Sequence, residues 1–516
     1  MTLASIYVLF CVVGLPFWVA QQHVGGRQIP FVLASCCYVA LSVFLGTGIP
    51  IDNTTIAAGC IGAWLCTSLI WTDTHKSVFE LLNLVSYLVL FTASREVPLA
   101  LIAIGFFMVG TAFAAFQAYQ TFHRTGIYRI SPHANDRVLR NNYLQYTYFI
   151  FGNGNHTGTF MLMNLFVGLW LVTNLTPWLL IFLPLTVFAL IATRCKGAIV
   201  ATVIGLMASL FFAGMWVTGL CSLFAAIVAG VMYWARADAF IDKSIGSRVG
   251  LWKAAIELIM KRPLTGCGLN GYAKHLPETT SVITSTAGPE AKRSHRVHND
   301  HLEIIVELGA LGYVLYGYLF TTLSYTPVLF GLMVAFVTHA IFFFPFREVH
   351  TAVPFWAIMG AMTMGTAQAV NIPVPVKGVI IAMAAAAAIK TLRMWMGYRY
   401  SERAKSASTE EEKRVLYDMA LTHDPLDGGY LCDAAYVYFV ANPLKAFWLM
   451  AQAATHYDGT RMKHDVLDMF ARTIINAKEA KICHWLEDRA ILLERDDKSA
   501  QEVKNFLIMR EGRAAK

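Results

Sequence analysis

Long apolar blocks alternate with short polar joints from the N-terminus to about residue 395, where the pattern changes. A helix that crosses a bilayer needs roughly 20 apolar residues. By that measure the blocks 2–20, 29–49, 54–71, 77–93, 97–119, 156–173, 175–192, 197–213, 215–234, 302–321, 326–345 and 352–371 are predicted spans. The run 197–234 is too long for one crossing, so the break is placed near Gly214. A thirteenth block, Gly378–Ile389, is short and Ala-rich; it reads as a span or as a hairpin-like interfacial helix. The expected fold class is all-α: a polytopic membrane protein of about 12, or about 13, transmembrane helices with a soluble helical tail. The expected organisation is N-terminal spans over 1–234, a large external loop over 235–301, C-terminal spans over 302–395 and the tail over 396–516.

The tail alternates charged and apolar positions with helical period. Small residues at Ala434, Ala435, Ala446 and Ala451, with turns at Asp424–Pro425 and Asn442–Pro443, suggest paired helices. The pattern is similar to a tetratricopeptide array with an imperfect repeat. Such helices bind a protein partner or simply pack; nothing in them looks catalytic.

Composition agrees with the membrane reading. Of 516 residues, 56% are hydrophobic and only 14% charged, with a mean hydropathy of +0.52. A soluble globular chain carries nearer a quarter charged residues. The first block, Leu3–Ala20, lacks a basic leader and reads as a span, not as a cleavable signal. The net charge of +8 sits mostly in the joints, which favours anionic lipid or a phosphate-bearing substrate over nucleic acid. The ten cysteines form no disulfide framework and no zinc or redox spacing.

The richest chemistry lies in Ser294–Gly312, a His-rich polar loop end running into an apolar helix. Asp300 is the expected N-cap, with Glu303 completing a capping box. Glu303 and Glu307 sit one turn apart on a membrane-like helix, where ionisable groups are costly without partners. His298 stands at the mouth of that helix. Read alone, it is equally an interfacial His at a helix end. Upstream, Arg248 to Met260 has a helical pattern with Leu251, Trp252, Ala255, Ile256 and Ile259 on one face. Pro263 and the glycines at 266, 268 and 271 end it. Residues 277–297 are expected to be a mobile loop and a candidate lid. Phe151–Asn155 reads as a tight turn. Parity places the joints holding Arg194, Arg248 and His298 on one face of the membrane, whichever way the chain is oriented.

Three motifs in order carry a resemblance. His298-Asn299-Asp300-x-Leu302-(x)4-Glu307-Leu308-Gly309-x-x-Gly312 looks like the signature of the O-antigen ligase and polymerase superfamily. Ser247–Ala255 and Arg262–Tyr272 are similar to the same family's preceding loop. The resemblance covers roughly residues 140–372 and is absent from the tail. It implies a GT-C-like membrane glycosyltransferase of the bacterial inner membrane, with its active site in a periplasmic loop. The donor would be an undecaprenyl-diphosphate-linked glycan and the acceptor a hydroxyl of a lipid or a protein. No cofactor and no metal are implied.

The resemblance assigns roles residue by residue. His298 would take the acceptor's proton, which suits a neutral imidazole. Arg194 and Arg248 would hold the diphosphate, as guanidinium groups do through paired hydrogen bonds. At Thr193–Gly197 this chain has Cys195 and Lys196, so only Arg194 carries over from the family's arginine-rich turn. Asn155, Asn299 and Glu303 are candidate substrate contacts. Arg293 and Arg296 would disfavour a protonated His298, while Asp300 and Glu303 push the other way; the sequence leaves the balance open. His339 reads as a buried structural histidine. Direct displacement predicts an inverting, metal-independent reaction, most closely that of an O-antigen ligase. The alternatives are an O-antigen polymerase, a protein O-oligosaccharyltransferase, or a transporter of the same lipid-linked glycan. A transporter is expected to show internal repeats and helices broken at the midplane, and the sequence shows no repeat. Positive-inside counting would put the basic joints in the cytoplasm, against the periplasmic placement that the family implies.

Overall fold

A computed structural model describes residues 2–16, 28–46, 49–72, 75–123, 151, 153–193, 195–219, 240–276, 279, 296–363, 368–370, 372–438 and 441–456. These residues are almost wholly helical. In chain order the helices are α1 (Leu3–Leu9, continued by a π-helical turn Phe10–Gly14), α2 (Ile29–Phe44), α3 (Asn53–Ser68), α4 (His75–Ser94), α5 (Leu99–His123) and α6 (Gly154–Asn174). Then come α7 (Leu183–Ala192), α8 (Lys196–Phe212), α9 (Phe240–Lys261), α10 (Asp300–Thr321), α11 (Pro327–Ala340), α12 (Val349–Ala361) and α13 (Val374–Ser406). The tail adds α14 (Glu410–His423), α15 (Gly428–Tyr438) and α16 (Pro443–His456). The described strands are β1 (Ile49–Ile51) and β2 (Gln368–Val370), paired antiparallel.

Among the described residues, six helices are long and apolar enough to cross a membrane: Asn53–Trp71, Ser77–Ser94, Leu99–Tyr119, Gly154–Asn174, Asp300–Thr321 and Val374–Ser406. Shorter apolar helices accompany them, including Leu3–Gly14, Ile29–Phe44 and Lys196–Phe212. The chain is a multi-pass membrane protein. Its core is apolar and aromatic, with Phe106, Phe160, Phe166, Phe336 and Phe355 fully buried. The break expected near Gly214 is present: α8 stops at Phe212, and Gly214 takes a φ of +77°.

Side-chain contacts identify the two ends of the bundle. At one end Ser77 and Thr72 donate to the Leu269 carbonyl, and Gln28 donates to the Arg347 carbonyl. At the other, Arg95 meets Asp52, the two strands pair, and Ser324 N–H donates to Met362 O. The block expected as the short segment Gly378–Ile389 is the middle of α13, a continuous helix of 33 residues. The Ala-rich middle favours helix, and Pro375 falls in the first turn, where a helix tolerates it. Lys377 lies beside Gly46 at the strand end, and α13 runs back along α2. At 1.5 Å per residue it is about 50 Å long, more than one crossing needs. The tail helices fold onto its far part through Lys390–Asp424 and the Tyr400–His423 ring stack.

Helix α10 is broken. Gly309 has φ +69° and ψ −177°, so the ladder stops there and restarts. The segment that follows α9 fills the gap. Cys267 N–H donates to Val306 O at 2.8 Å, Gly268 N–H to Glu307 O at 2.9 Å, and Ala310 N–H to Pro263 O at 2.8 Å. Trp64 Nε1 takes Leu308 O at 2.9 Å. Irregular backbone at membrane depth survives only when protein satisfies its polar groups, and here every freed group named finds one. A Cβ on Gly309 would run into the Leu264 carbonyl.

Candidate functional site

The loop 296–299 and the first turns of α10 build the site. The N-cap of α10 is Asn299, not the expected Asp300; its side chain accepts from Leu302 N–H at 3.1 Å. The frame shifts because Asp300 is claimed elsewhere. Its Oδ2 accepts from Phe346 N–H at 2.8 Å. Glu303 therefore does not close a capping box. Its carboxylate reaches past the cap to Val297 N–H at 3.0 Å and to Arg296 Nη1 at 2.8 Å. With Val297 held by Glu303 and Asn299 capping the helix, His298 between them sits in a left-handed turn at φ +57°.

Beneath His298 lies a buried ionic network that the sequence pattern did not reveal. Arg347, on the joint between α11 and α12, meets Glu307 at 2.6 Å, Glu80 at 3.0 Å, Glu303 at 3.6 Å and Asp300 at 3.9 Å. Arg296 adds contacts to Glu303 and, at 3.7 Å, to Glu80. Burial alone would lower the pKa of Arg296, but Glu303 and Glu80 outweigh it and hold the guanidinium charged. The same holds for Arg347 with its four carboxylates. Glu303 and Glu307 thus have the partners their position demanded. Glu80 comes from α4, more than two hundred residues away, and a charge inside that apolar block was the only available signal.

His298 itself is partly buried, and its ring packs edge-on to Phe344 at 5.3 Å. Its Nδ1 is buried with no hydrogen-bond partner among the described residues. Burial lowers its pKa to about 4; Arg248 and Arg296 push the same way, and Glu303 opposes them. The balance left open by the sequence falls to the neutral imidazole.

Arg248 lies within α9, which begins at Phe240, so it sits inside the helix and not at its head. Burial lowers its pKa too, and the neighbouring Cys195 side chain acts against that. Among the described residues no carboxylate pairs with it. A mostly desolvated cation without a counter-charge is an anion site in waiting. Its field reaches His298 and also Cys195 and His339. Cys195 Sγ lies 3.1 Å from Asn155 Oδ1 and 3.6 Å from His339 Nε2. His339 Nδ1 is bonded to Thr159 Oγ1 at 2.8 Å, as a buried structural His would be. The structure thus brings Asn155, Arg248 and His298 around one locus. Asn299 and Glu303 lie beside it with their side chains turned to the backbone and to Arg296. Arg194 lies outside the described residues, as do most of the expected lid (277–278 and 280–295) and most of the 120–155 loop.

Of the residues expected on one face of the loop helix, Leu251, Trp252, Ala255 and Ile259 turn inward and Ile256 does not. Leu251, Ala254, Ala255 and Leu258 form its inner face, while Ile256 points outward at 50% exposure. Small residues pack inward because α9 lies close to α10.

Among the described residues one group has metal-ligand spacing: His156, Glu348 and His350, with ligand atoms within 4.8 Å of one another. His350 Nε2 and His156 Nδ1 are 2.5 Å apart. Two nitrogens on a tetrahedral ion at 2.0–2.1 Å would stand about 3.3 Å apart. Both rings also lie in the first turns of helices, where the dipole disfavours a cation. The contact is a hydrogen-bonded pair of imidazoles.

Chemically, the locus offers a neutral base beside an unpaired cation, at the end of a spanning helix, on a frame locked by ion pairs. A family model described as O-antigen ligase matches residues 160–317, which include Arg248, His298, Glu303 and Glu307. No curated protein matches the chain, and no solved structure does.

Proposed function

We propose that this chain, whose residues 160–317 match the family model described as O-antigen ligase, is an inverting glycosyltransferase that moves a glycan from an undecaprenyl-diphosphate carrier to an acceptor hydroxyl. The observation that carries this reading is the neutral imidazole of His298 beside the uncompensated guanidinium of Arg248. The carrier brings its diphosphate to headgroup level, where Arg248, joined by Arg194, binds the phosphate oxygens. The acceptor oxygen attacks the anomeric carbon on the face opposite the diphosphate. As that bond forms, the carbon–oxygen bond to the diphosphate breaks and its electron pair leaves with the phosphate. The hydroxyl proton passes to His298. Asn155, near the same locus, is a candidate substrate contact. Glu303 and Asn299 position the His298 turn. The scheme calls on no metal and no cofactor.

The active face is the periplasmic side of a bacterial inner membrane in this reading, and the acceptor is that of a ligase, a lipid-linked core sugar. One observation favours a second acceptor class. Helix α13 runs as one piece back toward the end of the bundle that holds His298. That course supports a tail on the same side as the site, where helical pairs could receive a protein hydroxyl.

The test is transfer in membrane vesicles from a labelled polyprenyl-diphosphate oligosaccharide to lipid and protein acceptors. His298→Ala should abolish product while the protein still inserts. Unchanged transfer would remove the proposed base.

A further inference from the structure

Helix α9 has two apolar faces, and among the described residues only one of them packs against protein. The inner face packs on α10 through Leu251, Ala254, Ala255 and Leu258. The opposite face carries Val249, Ile256 and Met260, exposed at 36%, 50% and 75%. Their spacing of seven and four places them on one line along the helix. A helix facing water on that side would carry polar residues there. Leu264, just beyond the helix, continues the line at 69% exposure.

The depth of this line is fixed by backbone bonds. Pro263 O accepts from Ala310, and Cys267 and Gly268 donate to Val306 and Glu307. Gly309 is the tenth residue of α10, so the segment that fills its break lies about 13 Å along the helix from Asp300. Asp300 begins a candidate membrane span. An exposed leucine at that level of a spanning helix faces hydrocarbon, not water. Lys253, on the same outer face, has a long apolar stem able to carry its charge to the headgroups.

We infer that α9 and Pro263–Gly268 form a strap seated in the phospholipid bilayer, with Val249, Ile256, Met260 and Leu264 among the acyl chains. The occupant of this face is lipid. Arg248 lies on the inner side of the same strap. The seat therefore sets the height of Arg248. That second consequence rests on the proposed function; the seat itself does not.

The test reads the seat without reading transfer. The full chain is reconstituted in nanodiscs of phosphatidylethanolamine and phosphatidylglycerol, with p-acetylphenylalanine replacing Ile256, Met260 or Leu264 in turn and carrying a nitroxide. Accessibility to oxygen and to a water-soluble nickel chelate is then measured. Val379, exposed on α13, gives the lipid reference, and Glu411 in α14 the water reference. The inference expects the three strap positions to match Val379, with high oxygen and low nickel access. Nickel access like that of Glu411 overturns it. Protection from both reagents also overturns it, because protein would then cover the face. A strap in lipid combined with full transfer by His298→Ala would keep the seat and discard the enzyme reading.

Discussion

Arg347 Nη2 stands 2.6 Å from Glu307 Oε2, in a place where the two side chains are 3% and 2% exposed. Glu307 is therefore neither a lipid-facing liability nor an open ligand; it is one arm of the clamp that holds α10 to α4. The same guanidinium takes Glu80 and Glu303, and Glu303 in turn fixes the backbone just before His298. The ion pairs fix the site's geometry.

Removing one partner of such a buried pair leaves the other charged and desolvated, a cost of about 3–5 kcal/mol. Arg347→Ala should accordingly lower the melting temperature of the detergent-extracted protein sharply. Arg347→Lys keeps the charge but cannot reach the carboxylates as a planar fork, and should fall between. Equal stability of the Ala variant and the parent would show that the network carries no load.

His298→Ala tests the chemistry alone. General-base catalysis contributes typically 10²–10⁴-fold, so transfer should fall by about that factor. The side chain packs loosely against Phe344 and holds no hydrogen bond through Nδ1. Expression, extraction and melting temperature should hold. A variant that fails to insert would speak for a structural role instead.

Much of this was legible in the sequence, and the misses have physical reasons. Apolar runs of span length mark helices whatever they pack against, so α3 to α6 and α10 emerged close to their bounds. The Gly214 break emerged because one helix cannot hold 38 apolar-run residues in a bilayer of about 30 Å. The second break, at Gly309, was hidden. A lone glycine in an apolar run costs too little to announce itself, and its partner segment, Pro263–Gly268, lies forty residues upstream. A broken helix is one feature expected of a transporter. What fills it, however, is backbone from the chain itself. The cap was misplaced by one residue because Asp300 answers to Phe346, a contact no local pattern contains. Arg347 and Glu80 were missed for the same reason: each is a single charge inside or beside an apolar block, and pairing them takes three-dimensional knowledge. Ile256 was assigned to the wrong face because α9 is apolar on both sides, and periodicity cannot say which is which.

Gly309→Ala addresses the break directly. A left-handed φ costs a non-glycine residue about 1–3 kcal/mol, and the added Cβ also meets the Leu264 carbonyl. Both effects push Pro263–Gly268 away from α10 and take Arg248's helix with it. Loss of thermal stability and a raised apparent KM for the polyprenyl-diphosphate donor are expected together. Gly317, on the same helix with open space where a Cβ would go, is the control: Gly317→Ala should leave both unchanged.

The pH profile of transfer follows from His298. Its pKa is lowered to about 4, so the imidazole is neutral, and able to accept a proton, at every pH above that value. The rate should be flat from pH 7 down to about 5 and fall only near 4, not near the ordinary histidine value of about 6.5. Arg248 is the largest charge holding the value down. Arg248→Gln removes a positive neighbour, which makes the protonated ring less unfavourable and raises the pKa. The acid limb of that variant should therefore move to higher pH, along with a loss of donor binding. Measuring initial rates between pH 4 and 8 for both proteins checks the direction. A limb that stays in place in Arg248→Gln would mean that the two groups do not share the locus where the reaction is proposed to occur.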